Sequence, residues 1–127
     1  MLEVLLCEKG YFFFFTKRSA HKKNFDADAL KNLATMADAV LVAYDVMIEN
    51  LEAAHKGELI DIANAYNAEQ RINTLRNNYR DAVIEDMESG GNYQAMVYYM
   101  DIMNTYERMG DFMINISQDL ERGFINR

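Results

Sequence analysis

The chain has 127 residues, 50% of them hydrophobic and 26% charged, which is one domain's worth of globular sequence. With no Pro, no Trp and one Cys, it holds neither an internal disulfide framework nor a Cys-based zinc site, and a lone thiol fits a reducing, cytoplasmic setting. The net charge of −7 argues against nucleic acid as a partner, because that binding needs cations set against phosphates.

The charge is unevenly spread. Residues 1–25 carry five Lys/Arg against Glu3 and Glu8, whereas residues 26–122 carry seven Lys/Arg against eighteen Asp/Glu. Within the basic segment, the apolar clusters Leu2–Cys7 and Tyr11–Phe15 flank Glu8, Lys9 and Gly10. Neither approaches the roughly 18 apolar residues of a membrane span. The basic run Lys17, Arg18, Lys22 and Lys23 follows the apolar stretch, the reverse of a signal peptide. The segment reads as an N-terminal arm or short helix that packs its aromatics on the rest of the chain or on a second subunit. An amphipathic membrane-surface segment is the alternative. Left in water, Phe12–Phe15 would invite aggregation.

From Asp26 the pattern is helical. Asn24 or Asp26 can cap a helix with Asp28 in its first turn. Leu30, Leu33, Ala37, Val40, Tyr44, Met47, Leu51 and Ala54 then recur at 3-4 spacing until Gly57 ends the run. A second helix is predicted from Glu58 to Ser89-Gly90-Gly91, with Ala65, Ala68, Ile72, Leu75, Tyr79 and Ala82 as its seam. A third is predicted from Asn92 to Arg122, stopped by Gly123, burying Ile102, Tyr106, Met109, Met113, Ile116 and Leu120. Short turns between long helices force antiparallel neighbours. The expected fold is therefore all-α: an antiparallel up-down-up three-helix bundle over residues 26–122, preceded by an arm over 1–25 and followed by a tail over 123–127. Such a bundle leaves little interior for a deep small-molecule pocket.

Beside the seam of the third helix, Asn104, Glu107, Asp111 and Asn115 fall within about 80° of arc and form one polar stripe. Two carboxylates one turn apart repel slightly, so a metal ion or an Arg is expected to face them. Positions equally far from Gly90-Gly91 meet across an antiparallel pair, which sets Asn73 and Arg76 opposite the stripe. A polar clamp between helices through Asn73, Arg76, Asn104 and Asn115 is the simpler reading, with Glu107 or Asp111 paired to Arg76 or Arg80.

The segment Tyr106-Glu107-Arg108-Met109-Gly110-Asp111-Phe112-Met113-Ile114-Asn115-Ile116 resembles the E-R-[IM]-G-D-x-x-x-N-[IL] signature of PhoU-type helical bundles. Glu69-Gln70-Arg71-Ile72-Asn73-Thr74-Leu75-Arg76 is similar to the E-x-x-I-N-x-L-R version in PhoU-like domains attached to bacterial sodium/phosphate cotransporters. The resemblance covers residues 26–122. It implies a non-enzymatic cytoplasmic domain, at the inner face of the membrane, linked to sodium-dependent phosphate transport or its regulation through helix-face interactions. The implied partners are a second copy, a membrane transporter or a signalling protein. The resemblance also implies iron or zinc, which PhoU proteins bind through E/D-x-x-x-D motifs on neighbouring helices. Glu107 and Asp111 match one such motif. Glu69 opens the companion, but its fourth following residue is Asn73, a poorer ligand. A second departure is that only one repeat is present where the family has two, and a homodimer would restore the pair.

Other chemistry is poorly supported. Glu52-Ala53-Ala54-His55 has the Glu-x-x-His spacing of di-iron carboxylate bundles, but those need two copies and two further glutamates. Asp38, Asp45 and Glu52 repeat every seven residues with Leu41 and Ile48 between them, as on a boundary face half-buried against another subunit. Cys7, His21 and His55 suggest no nucleophile–base pair, and Gly90-Gly91 lacks the Lys of a phosphate loop.

Overall fold

A computed structural model of the chain describes residues 27–125. The arm, with Cys7, His21 and the capping candidates Asn24 and Asp26, lies outside the described residues. Three helices make up the rest: α1 (Ala27–His55), α2 (Ile62–Glu88) and α3 (Tyr93–Ile125). Among the described residues there is no strand, and no helix is long and apolar enough to cross a membrane.

α1 ends as its sequence dictates. Gly57 adopts φ +74°, a left-handed conformation that costs a glycine nothing, and the Glu58 N–H reaches back to the Ala53 carbonyl at 2.8 Å. α2 starts four residues later than Glu58, because Asp61 is the cap: its carboxylate accepts from the Asn64 N–H at 3.3 Å. Gly90 closes the second turn at φ +89°, and Asn92 opens α3 by accepting from the Ala95 N–H at 3.1 Å. Gly123 does not stop α3. It keeps ordinary helical backbone, and the helix continues to Ile125.

Each helix packs on both others, so the three form a helical bundle around one core. Leu33, Met36 and Val40 from α1, Ile72 from α2, and Met103 and Tyr106 from α3 are at its centre, each at most 4% exposed. The buried line departs from the expected seams by one residue in each of the three helices. In α1, Ala43 and Asn50 are buried while Tyr44 and Leu51 are 45% and 38% exposed. In α3, Gly110, Ile114 and Ser117 are buried while Met109, Met113, Ile116 and Leu120 stay half-buried. In α2, Ala82 is exposed and Val83 packs on the core in its place. Small residues occupy the line of closest helix approach, and bulkier neighbours flank it.

Among the contacts between α2 and α3, Tyr66 accepts a hydrogen bond from Gln118 at 2.7 Å, Ile72 abuts Gly110, and Arg76 faces Glu107. α1 meets α3 through a buried hydrogen bond from the Asn50 amide to the Ser117 hydroxyl at 3.1 Å. Where the ends of α1, α2 and α3 meet, an open cleft of about 680 Å³ lies between Asp28, Tyr79, Val83, Asp86, Met96 and Tyr99. This cleft opens on the surface, and the 3-4 spacing of the helices did not point to it.

Candidate polar site on the α2–α3 face

The residues of the two motifs meet across one helix pair. Gly110 is there because α2 comes close: a Cβ at that position would lie 2.9 Å from the Ile72 Cδ1. One turn nearer Ser89, the Arg76 Nη2 lies 3.9 Å from the Glu107 Oε1, with both side chains about four-fifths buried. That distance makes an ion pair rather than a hydrogen bond.

Glu107 is held between opposing influences. Burial, chiefly, and the neighbouring Asp111 carboxylate push its pKa up, and Glu69 adds to the push, while Arg76 pulls it down. The upward causes win, so the Arg76 guanidinium compensates only part of the acid gathered here. The Asp111 side chain, one turn along the same helix, thus favours the protonated form of Glu107.

The clamp residues divide between two roles. Arg76 reaches across to α3. Asn73 turns along its own helix, donating from Nδ2 to the Glu69 Oε1 at 2.6 Å. Asn104 is half-buried and Asn115 exposed, so the expected stripe runs out into water at its far end. Two buried atoms at this site lack hydrogen-bond partners among the described residues: the Asn73 Oδ1 and the Arg76 Nε. Such groups ordinarily carry a desolvation cost of about 1–3 kcal/mol.

The donor set does not fit an iron or zinc cluster. Glu69 is occupied by an amide and Glu107 faces a guanidinium. Among the described residues, no three His, Cys, Asp or Glu side chains are gathered to hold a metal ion. The other acidic positions read from the sequence, Asp38, Asp45, Glu52 and the adjoining His55, are exposed, with Leu41 and Ile48 half-buried between them. Sequence reasoning passed over the Asn50–Ser117 pair, whose only signal was two small polar residues one position off the expected seams.

The chain matches no family model, no curated protein and no solved structure.

Proposed function

We propose that the chain is a non-enzymatic PhoU-like helical module that acts in sodium-dependent phosphate transport or its regulation by docking its helix faces to protein partners. The observation that carries this reading is the meeting of the two resembling motifs: Ile72 and Arg76 of the α2 motif contact Gly110 and Glu107 of the α3 motif. Their chemistry is thus spent on holding one helix pair together, which leaves the outer faces for recognition. Those faces are suited to it. Val42 and Tyr44 on α1 and Phe112 on α3 expose 52%, 45% and 66% of their surfaces.

In this reading residues 26–122 form an up-down-up bundle. The cross-helix contacts support it: from Tyr66 through Ile72 to Arg76, the α3 partners step backwards from Gln118 through Gly110 to Glu107. The domain works in the cytoplasm at the inner face of the membrane, as a homodimer that stands in for the family's double repeat, with a transporter or a signalling protein as its further partner.

Phosphate uptake in a strain lacking the chain tests the role. Uptake should lose its normal response to external phosphate, regain it with the wild-type chain, and fail to regain it with Phe112→Ser. Unchanged uptake in the deletion strain would remove the phosphate role. Light scattering that reports a monomer at micromolar concentration would remove the dimer.

A further inference from the structure

The cleft between the helix ends has two kinds of wall. Its floor is apolar and aromatic: Ala95, Met96 and Tyr99 are buried, and Tyr79 and Val83 are half-buried. Its rim is acidic, with Asp28, Glu85 and Asp86 all exposed and no Lys, Arg or His among its lining residues. Its volume of about 680 Å³ falls within the roughly 300–1,000 Å³ of sites that bury drug-sized groups. The ligand chemistry this selects is an aromatic body carrying positive charge.

The same chain supplies that chemistry next door. Tyr11-Phe12-Phe13-Phe14-Phe15 is followed at once by Thr16-Lys17-Arg18 and then by Lys22 and Lys23, and the chain enters α1 beside Asp28. Eleven residues separate Phe15 from Ala27, a tether that reaches about 40 Å when extended. A tethered segment is present at an effective concentration in the millimolar range, which no ordinary free peptide matches. We infer that the cleft receives the aromatic run Tyr11–Phe15 of its own chain, with the basic run Lys17–Lys23 set against the rim of Asp28, Glu85 and Asp86. The pairing follows from complementary charge and from where the segment joins the bundle. It also gives Phe12–Phe15 a place out of water. It stands independently of the phosphate role.

The single cysteine makes the test direct. In the full chain carrying a nitroxide on Cys7, the amide NMR signals of Val83, Ala95, Met96 and Tyr99 should lose most of their intensity. Those of Asn50 and Ser117 should keep theirs, and reducing the nitroxide should restore the rest. The triple reversal Asp28→Lys, Glu85→Lys, Asp86→Lys should abolish the loss, and raising the salt concentration in the wild-type chain should weaken it. Without any label, replacing Phe12–Phe15 by Ser should shift the cleft amides and leave those of Asn50 and Ser117 in place. Unattenuated cleft signals, or a loss that survives the triple reversal, would overturn the inference. So would attenuation passed from a nitroxide-bearing copy to an isotope-labelled copy without nitroxide, since the occupant would then be a second molecule.

Discussion

α1 and α2 are nearly equal in length, 29 and 27 residues, yet α1 buries eight side chains and α2 only three. The difference lies in what each presents to α3. α1 offers a broad apolar face, Leu33, Met36, Val40 and Met47 with Ala37, Ala39 and Ala43 between them. α2 offers Ile72 and two alanines, and beyond them a flank of Glu69, Asn73 and Arg76. Apolar burial contributes steadily at about 25 cal/mol per Å². The polar flank returns far less, because Arg76 and Asn73 each keep a buried atom without a partner. Full apolar burial is therefore concentrated on α1, and α2 leans more on half-buried and polar contacts.

The largest test of that contrast is Met36→Ala. Met36 is fully buried, and its truncation should cost about 2–5 kcal/mol in chemical denaturation. The matching change on α2, Leu75→Ala, should cost less than half as much, since Leu75 is only half-buried. Equal losses would break the comparison.

Gly110→Ala probes a place where α2 comes close to α3. A helix gains about 1 kcal/mol when alanine replaces an interior glycine. Here the new methyl would meet the Ile72 Cδ1 at 2.9 Å, and Ile72 is 0% exposed with no room to retreat. Overpacking of this kind costs about 1–3 kcal/mol. The net result should be a loss of about 1 kcal/mol, partly recovered when Ile72→Val is added. A gain in stability would show that α2 can slide outward at little cost.

The smallest effect belongs to Glu107→Gln, under about 1 kcal/mol. Burial and Asp111 raise Glu107 above the ordinary carboxyl value of 4.5, so the folded protein keeps a proton that the unfolded chain has already released. The stability this proton confers is fully present below the unfolded value and is lost as pH rises through the folded one. Gln does not titrate. Denaturation midpoints across a pH series should therefore move in the variant's favour from acid toward neutral pH and then level off. A difference of the opposite slope would mean that Arg76 outweighs Asp111.

The three helices of the described residues and the sites of two turns were legible from 3-4 spacing and from Gly57 and Gly90, because backbone at positive φ is a local demand on residue type. The start of α2 was not, since Asp61 caps without a glutamate three residues on. Gly123 misled for the opposite reason: a glycine permits a stop and does not impose one. The seams erred where size and burial part company. Tyr44 and Leu51 are the more apolar residues, but the line of closest approach takes the smaller Ala43 and the polar Asn50. At the candidate site, the meeting of Arg76 with Glu107 followed from counting outward from Gly90-Gly91. The inward turn of Asn73 toward Glu69 depends on a rotamer, which spacing does not encode.

The buried bond between Asn50 and Ser117 has one more consequence. Apolar side chains of similar size tolerate a helix displaced along its axis by one turn, about 5.4 Å, because one methyl cluster can take the place of another. A dry amide and a dry hydroxyl cannot trade partners in that way. Moving α1 against α3 by a turn would strand both, at about 1–3 kcal/mol each. One bond between two small polar groups, 4% and 0% exposed, thus works as a vernier mark that tells two long and otherwise forgiving helices which level is theirs.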